Sequence, residues 1–571
     1  MKKIIGFIFL SALATLLFAQ DPIEYHWENG KLKAEGFLIQ GGVEDGEWKF
    51  YNKEGVLQQK VTYDFGELNG SFQNYFDNGK IKEEGTFHRA MRDSLFTTYY
   101  SSGQVELKGY FDKGFKDSLW IFFHENGNKL REGVYQQDVK VGKWTEWYAN
   151  QQLKEYVIYE DGEENIIEFY DEKGNPTVKD GNGEIIEFWS NGELNLKGKV
   201  VQKKKDGEWV FYTEEGIKSE IKTYKKGTAN GYWATYFTNG KIEWEGTYKE
   251  DKKDGEWKYY YEDGTLRRDI NYQEGKEEGE YKSYFQNARL ADFGRYNKGK
   301  KEGEWVWYNP NGTIDMKGEF KNGLQDGQWY YYYKDTTQLL SKGTFNEGQR
   351  NGFWEYFYAD GSLWKQGYYK EDNKDSLWQI WHENGNLIIK GKYENNLEEG
   401  EWISNYTTGE KQDVGHFKGG LMHGSWKGWY TNGNLRYEGE YKMGNKNKIW
   451  SYFAENGNQE LYETYKEGVL HGERKSWYAN GKLRDEGNYK EGKYEGKWEH
   501  YYENGNKMRE VNYKGGRQEG LVKSWHEIGT LESEKQYRDG IPHGWFKFYG
   551  KKEGELKIKI QYKKGEKVSE D

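Results

Sequence analysis

The sequence of 571 residues contains no cysteine, which excludes disulfides, thiolate nucleophiles and cysteine zinc ligands. Proline is scarce, with 4 residues, and the 74 glycines follow no Gly-X-Y period, which excludes Pro-rich linkers and collagen. Only 35% of the residues are hydrophobic, but 18% are aromatic. Because disordered chains are poor in aromatic residues, this composition predicts a folded protein whose apolar area lies in rings.

The charge balance is mildly acidic and of mixed sign. There are 84 Lys and Arg against 95 Asp and Glu, a formal net charge of −11. Nucleic-acid binders usually show a basic stripe, and anionic lipid favours clustered Lys and Arg. We therefore expect no nucleic-acid partner and consider membrane contact unlikely.

The N-terminal stretch predicts export. Lys2 and Lys3 precede an apolar run from Ile4 to Phe18, and the small residue Ala19 follows. This layout is typical of a signal peptide over residues 1–19, cut after Ala19, and the run is short for a bilayer span. An uncleaved membrane anchor is the alternative. Export without disulfides favours a periplasmic or extracellular location.

A repeat of about 24 residues covers nearly all of the remaining chain. The string KDGEWKYYYEDG at 253–264 returns as KEGEWVWYNPNG at 301–312, and a turn glycine recurs at this spacing in 20 of about 23 units. Such self-similarity is the signature of a repeat architecture. We therefore expect no separate globular domain within the array.

One unit shows why the repeat predicts strands. Ile242, Gly246 and Tyr248 are separated by even numbers, so in a strand they share one face, while charged residues occupy the other. A second strand follows, and Asn-Gly or Asp-Gly strings predict tight turns. We expect the glycine of the first strand to lie under the indole of the second. The residues assigned to this repeat structure are Gly240, Gly246, Tyr248, Gly255, Trp257, Tyr259 and Gly264.

A lone hairpin is not stable in water, so the hairpins must pair edge to edge. The predicted fold is all-β: an elongated single-layer antiparallel meander, a β-hairpin solenoid of about 23 units of 24 residues. Frequent glycine argues against helix, because each costs about 1 kcal/mol there.

The strings EGEYKMGNKNKIWSYFAENG (438–457) and EGNYKEGKYEGKWEHYYENG (486–505) resemble MORN repeats, in the bacterial variant found in YwqK-family antitoxin-like proteins. The resemblance covers roughly residues 25–560. It implies a twisted single-layer sheet of successive hairpins, and a role in protein–protein interaction, scaffolding or membrane contact. The antitoxin label suits an exported chain poorly, because an antitoxin meets its toxin in the cytoplasm.

Candidate catalytic groups fall into the repeat. His423, His471 and His543 stand at a turn position that holds Asp254 or Glu302 in other units. No histidine pair has helical zinc-ligand spacing, and no D-x-D-x-D calcium loop occurs. We therefore expect no enzyme activity, no catalytic residue, no cofactor and no metal.

The repeat spacing breaks once. Units shorten near residues 161–192, where Pro176 lies. We read this segment either as a degenerate unit that kinks the sheet or as a docking point. The expected organisation is a signal peptide (1–19), an N-terminal array (20–160), the irregular segment (161–192), a C-terminal array (193–560) and a polar tail (561–571).

A single sheet should leave its ring-bearing face partly open, and extended apolar surface usually marks an interaction site. The leading hypothesis is a scaffold for protein partners, including self-association. The alternatives are an envelope glycan-binding protein, because Trp and Tyr stack on sugar rings, and an antitoxin-like or membrane-surface module. The predicted binding face comprises Trp305, Trp329, Trp354, Trp378, Trp402 and Trp426.

Overall fold

A computed structural model describes residues 22–552 and 554–571. The signal peptide predicted for residues 1–19 lies outside this part of the chain. All regular elements of the described residues are β-strands, and neighbouring strands are antiparallel. The prediction of an all-β antiparallel meander is therefore confirmed.

The chain forms two compact units. The first runs to Thr265 and includes Tyr272–Lys276, and the second comprises Leu266–Asn271 and Glu277–Asp571. The irregular segment predicted at residues 161–192 lies inside the first unit. Residues 561–571, predicted to be a polar tail, contribute instead to the last hairpin, because Lys563 pairs with Glu566 and Gln561 with Ser569.

The strands up to residue 260 are β1 Ile23–His26, β2 Leu32–Ile39, β3 Val43–Tyr51, β4 Leu57–Asp64, β5 Glu67–Tyr75, β6 Ile81–His88, β7 Met91–Tyr99, β8 Val105–Asp112, β9 Phe115–Phe123, β10 Lys129–Gln136, β11 Val139–Trp147, β12 Leu153–Glu160, β13 Glu163–Tyr170, β14 Pro176–Lys179, β15 Asn182–Phe188, β16 Leu194–Val201, β17 Lys204–Tyr212, β18 Lys218–Lys225, β19 Thr228–Tyr236, β20 Ile242–Lys249 and β21 Lys252–Tyr260.

The remaining strands are β22 Leu266–Gln273, β23 Lys276–Tyr284, β24 Leu290–Asn297, β25 Lys300–Tyr308, β26 Ile314–Lys321, β27 Leu324–Tyr332, β28 Leu339–Asn346, β29 Gln349–Phe357, β30 Leu363–Lys370, β31 Asn373–Trp381, β32 Leu387–Glu394, β33 Leu397–Asn405, β34 Lys411–Lys418, β35 Leu421–Met422, β36 Gly424–Trp429, β37 Leu435–Lys442, β38 Asn445–Phe453, β39 Gln459–Lys466, β40 Val469–Trp477, β41 Leu483–Lys490, β42 Lys493–Tyr501, β43 Lys507–Lys514, β44 Arg517–Gln518, β45 Gly520–Trp525, β46 Leu531–Arg538, β47 Ile541–Pro542, β48 Gly544–Tyr549, β49 Leu556–Lys563 and β50 Glu566–Glu570.

In a typical repeat the tight two-residue turn lies before the row tryptophan, whereas the Asn/Asp-Gly string after the tryptophan lies in a longer loop. Asp161-Gly162, Asp180-Gly181 and Asp539-Gly540 are Asp-Gly strings that do form two-residue turns. Between β20 and β21, Lys249 pairs with Lys252 across Glu250 and Asp251, whose φ angles are 50° and 62°. Two successive positive φ angles define the type I′ turn that joins paired strands most tightly. The Asn-Gly string lies in a five-residue loop from Phe237 to Lys241, where Gly240 N donates to Phe237 O at 2.9 Å. A turn therefore lies at the predicted position, but the glycine alone has a positive φ and the loop is longer than the two-residue turn.

Gly255 forms a bulge within β21. Asp254 pairs with Thr247 and Lys258 with Glu245, so four residue steps on β21 lie opposite two on β20. Gly255 has a φ of 73°, a conformation that favours glycine. The extra residues of the bulge displace the backbone of β21 and place the Trp257 indole over β20.

Glycine and tryptophan pack as the alternation predicts. A Cβ on Gly246 would lie 2.2 Å from Cδ2 of Trp257, so only glycine leaves room for this ring. Trp257 Nε1 donates to the backbone oxygen of Thr247 at 3.1 Å. The same indole-to-backbone bond, at 3.0–3.2 Å, is made by Trp48, Trp120, Trp144, Trp209, Trp233, Trp305, Trp329, Trp354, Trp378, Trp402, Trp426, Trp450 and Trp498.

In the irregular segment the buried side chains are smaller than indole. Between Trp144 and Trp209 the buried core consists of Val157, Ile166, Phe169, Val178, Ile185 and Val200. Because β14 has only four residues, strand β13 reaches the turn before β17, and Ile166 N donates to Lys203 O at 2.8 Å. Lys204 and Glu163 form an ion pair at 2.7 Å. The short hairpin of β14 and β15 thus does not reach the edge of the sheet at which β13 contacts the turn before β17.

Candidate binding surfaces

The ring face is a core and not the open groove expected from the sequence. The exposed fractions of Trp305, Trp329, Trp354 and Trp378 are 1–4%. A partner cannot stack on side chains that are this deeply covered. The proposed binding role of these four residues is therefore wrong, whereas Trp402 and Trp426 are half-buried and keep accessible ring surface.

Neighbouring rings and lysine stems cover the indoles. Trp305 makes edge-to-face contacts with Tyr296 (centroid distance 5.2 Å) and Phe320 (6.1 Å), and its ring stacks beside Trp307 at 5.6 Å. Lys301 Nζ lies 4.0 Å from the Trp305 centroid, a cation–π distance. Burial lowers the pKa of Lys301 below its ordinary value. The apolar area is thus buried within a single layer of strands, with ammonium groups on top.

Trp257, Tyr259 and Tyr248 lie in the same core in the first unit, whereas Gly240, Gly255 and Gly264 are exposed. Trp257 is 1% exposed, and Tyr259 beside it is also buried. Tyr248 meets the Trp257 ring edge-to-face at 5.2 Å, and Lys253 Nζ lies 4.1 Å from its centroid. The three ring positions therefore hold the sheet together and offer no surface to a ligand.

Several exposed apolar side chains lie on the face opposite the indoles. Lys116 contacts the Trp120 ring, so by alternation Phe115 and Leu119 point to the opposite face. On this outer face Leu95 pairs with Tyr110, and Leu119 with Val134. We define the outer patch, across β7–β11, as Met91, Leu95, Tyr110, Phe115, Leu119, Val134 and Val139, whose exposed fractions are 40–50%.

The outer patch has a sequence signal that repeat averaging hides. The residue just before each row tryptophan is commonly glutamate, as at Glu47, Glu208 and Glu304, but its equivalents in the patch are Leu95 and Leu119. A comparison of each unit with the others at outward positions would have located it. The ring positions dominate the repeat pattern, so the sequence predicts a binding surface on the indole face and not on the opposite one.

His423 and His471 accept hydrogen bonds from backbone N–H groups of the neighbouring turns. His423 Nδ1 accepts a hydrogen bond from Met443 N, and His471 Nδ1 accepts one from Glu491 N, both at 3.4 Å. Glu302 does the same for Asn322 N at 2.8 Å, so imidazole and carboxylate are exchangeable here. Within residues 22–552 and 554–571, no group of three or more His, Asp or Glu side chains could hold a metal ion.

A carboxylate cluster lies on the ring face beside the irregular segment. Glu146 and Glu155 are directly opposite each other on β11 and β12. Lys154 bridges Glu146 (3.0 Å) and Glu187 (3.3 Å). Burial and the nearby charge of Glu146 raise the pKa of Glu155 to about 7. The geometry is that of a partly compensated ion cluster.

Comparison with known families identifies the repeat. A family model described as "MORN repeat variant" matches nine segments. The matched segments are residues 44–64, 68–89, 253–274, 301–322, 350–371, 374–395, 422–443, 470–491 and 494–514. The chain is a MORN-repeat protein. The segment at 301–322 covers β25, its Asn-Gly loop and β26, so a MORN repeat begins at the second strand of one hairpin.

The MORN assignment leaves the antitoxin-like subtype a prediction, because the family model does not distinguish it. No curated protein matches this chain. In the described part of this MORN-repeat protein, no helix has the length and apolarity to cross a membrane.

Solved structures show only a distant likeness. The TcdB2-TccC3-Cdc42 and TcdB2-TccC3 crystal structures each match at 12% identity and a TM-score of 0.12, over 95% of this chain. The Photorhabdus luminescens Tc holotoxin pore matches at 12% identity and 0.13, over 93%. This chain spans about 30% of the length of those chains. At these values the likeness bears on neither the fold nor the function of the MORN repeats.

Proposed function

We propose that this MORN-repeat chain is a non-enzymatic scaffold that binds a partner protein through the outer patch. The observation that supports the proposal is seven apolar side chains, each 40–50% exposed, on five consecutive strands. Contiguous apolar surface of this kind usually marks an interaction site. The repeat core does not need Leu95 and Leu119, because other units carry glutamate in their row, as at Glu47, Glu208 and Glu304.

The surroundings of the patch favour one kind of partner. Asp93 and Asp117 lie on the same strands as Leu95 and Leu119 and alternate with them. Apolar side chains with carboxylates between them suit a protein surface that is apolar at its centre and basic at its rim. The outer patch therefore specifies a different partner surface from the indole rows assumed by the sequence interpretation.

The test compares two variants with the same type of change. Leu95→Glu with Leu119→Glu adds the residue that other units carry in this row, so the fold should tolerate it. Leu521→Glu is the matched control, because Leu521 also precedes the ring position and is 41% exposed, but lies in the second unit. A photo-crosslinker at position 119 should capture one stoichiometric partner in the native cells, and one at position 521 should not.

Co-purification of that partner should then be lost in the double variant and kept in Leu521→Glu. If a product forms at twice the chain mass, the partner is a second copy of this chain. Equal capture at positions 119 and 521, or co-purification that survives the double change, would refute the role of the outer patch.

We also propose that the chain is exported. The support is the arrangement of Lys2, Lys3, the apolar run and Ala19. The mature protein should begin at Gln20 and be found in the periplasm or the medium. N-terminal sequencing that returns the uncut terminus from a membrane fraction would favour the anchor instead.

A further inference from the structure

One stretch of the ring face in the second unit lacks its rings. In the row two residues after each tryptophan, Tyr331 and Tyr356 stack beside Trp329 and Trp354 at 6.0 and 5.9 Å. The equivalents two and three repeats after Tyr356 are Ser404 and Gly428. Trp402 and Trp426, which precede them, are consequently half-buried.

The ring missing at Ser404 leaves a recess of about 160 Å³ lined by Ile389, Trp402, Ser404, Asp413, Phe417 and Trp426. At Gly428 the space is taken by Tyr437, whose Cε1 would lie 2.4 Å from a Cβ there. Phe417 lies edge-to-face between the two indoles, with centroids 5.8 Å from Trp402 and 5.2 Å from Trp426. Both indole N–H groups already donate to backbone oxygens at 3.1 Å. The indoles therefore offer ring surface to a ligand and no hydrogen-bond donor.

Asp413 supplies the polar side of the recess. Its Oδ1 accepts hydrogen bonds from Arg436 Nη2 (2.9 Å) and Tyr437 OH (2.7 Å). Its Oδ2 accepts a longer hydrogen bond from Ser404 Oγ, at 3.3 Å. A carboxylate oxygen has two lone pairs, so Oδ2 keeps acceptor capacity for a ligand hydroxyl.

We propose that this recess binds a pyranose ring of a β-linked, gluco-configured glycan. Such a ring presents an apolar face for the indoles, and its equatorial hydroxyls can donate to Asp413 Oδ2. An apolar peptide side chain would bury the carboxylate without a new donor, which is unfavourable. A quaternary ammonium would suit an aromatic cage, but it would lie near the Arg436 guanidinium, which already neutralises Asp413.

This inference goes beyond the scaffold function and is independent of it. The recess lies on the ring face of β32–β36, whereas the outer patch lies on the opposite face of β7–β11. A chain that carries Leu95→Glu and Leu119→Glu should therefore bind glycan like the unaltered protein, and failure of one proposal leaves the other standing.

The test fills the recess with the ring that other repeats carry. Ser404→Tyr reproduces Tyr331 and Tyr356, so the variant should fold with an undiminished thermal midpoint. Ser283→Tyr is the matched control, because Ser283 occupies the same row and bonds Asp292 as Ser404 bonds Asp413. Cellohexaose and chitohexaose are titrated against the full chain by calorimetry, with saturation-transfer NMR to identify the bound face.

We expect at least one hexaose to bind, with affinity about tenfold or more weaker in Ser404→Tyr and unchanged in Ser283→Tyr. Asp413→Asn, which keeps the side-chain shape, should also weaken binding. No binding of either hexaose to the unaltered chain, or equal binding by Ser404→Tyr, would overturn the proposal. So would binding of tetramethylammonium alone at this site, which would make the ligand a cation.

Discussion

Replacing Gly246 by valine tests the packing on which the MORN repeat depends. A Cβ at this position would lie 2.2, 2.3 and 2.6 Å from Cδ2, Cε2 and Cγ of Trp257. These atoms belong to a fused ring held by the bond from Trp257 Nε1 to Thr247 O. A shift of the ring by a few tenths of an ångström would not relieve this overlap, so the indole must leave its position.

The magnitude follows from what the displaced ring loses. Overpacking a core costs about 1–3 kcal/mol when neighbours can shift, and removal of a buried tryptophan costs about 3–5 kcal/mol. Trp257 is 1% exposed, so its displacement approaches the second case. Because Gly246 has no positive φ, valine incurs no backbone strain there. We expect Gly246→Val to cost about 3 kcal/mol of local stability.

The chain itself supplies the rescue. Where the second strand carries phenylalanine at Phe72, the glycine position holds Val61, and both are 2% exposed. Gly246→Val combined with Trp257→Phe reproduces that pair. The double variant should recover about 1–3 kcal/mol relative to the sum of the single changes, as contacting residues do.

Hydrogen exchange of the β20 and β21 amides is the appropriate measurement, because repeat arrays open locally and a single melting midpoint averages over them. Gly36→Val, opposite Trp48, tests the same glycine–indole packing in another repeat. Unchanged exchange in Gly246→Val, or strictly additive effects in the double variant, would refute the packing argument.

Three further predictions follow from the same core. The folded state keeps the Glu155 proton up to about pH 7, whereas the unfolded state releases it near 4.5, so the free energy of unfolding falls as pH rises through this window. Glu155→Gln should therefore be about 2–3 kcal/mol more stable than the unaltered chain at pH 8 and equally stable at pH 4. Hydrogen exchange of the β12 amides measures this difference. Arg474 occupies a tryptophan position and forms ion pairs with Glu463 (3.3 Å) and Asp485. Chemical denaturation of the second unit should show a loss of about 2–4 kcal/mol in Arg474→Ala and no loss in Arg474→Trp combined with Glu463→Gly. Equal losses of stability in the two variants would contradict this. Trp305→Leu should cost about 3 kcal/mol and Trp402→Leu about half as much, because only the first is fully buried; equal losses in proteolytic sensitivity would contradict the difference in burial.

The strand pattern and the glycine–indole pairing could be predicted from the sequence, because both depend on residues one hairpin apart and on alternation. Thirteen of the fourteen row tryptophans face a glycine, and Trp233, opposite Lys222, is the exception. Where the indole is replaced, the glycine is often replaced as well, as in Val511 with Val522, whereas Phe96 keeps Gly85. This covariation is visible in the printed sequence.

The burial of the indoles could not be read from the strand pattern alone. It depends on lysines such as Lys253 and Lys301, which lie four residues before a tryptophan and therefore share its face. The strand alternation predicts charged residues on the face away from the rings. The aliphatic stem of lysine, however, covers apolar surface while its ammonium group stays in solvent. The location of the recess at Ser404 likewise depends on which rings are absent and not on which are present.

The glycine–indole pair has a consequence for how such an array changes length. Gly246 and Trp257 lie within one hairpin, and the loops that carry Asn-Gly separate one pair from the next. A duplication or deletion that begins in one such loop and ends in another transfers whole pairs and never separates a ring from its glycine. The number of hairpins can therefore vary without a compensating change in the core, while outward residues diverge copy by copy into patches such as that of β7–β11.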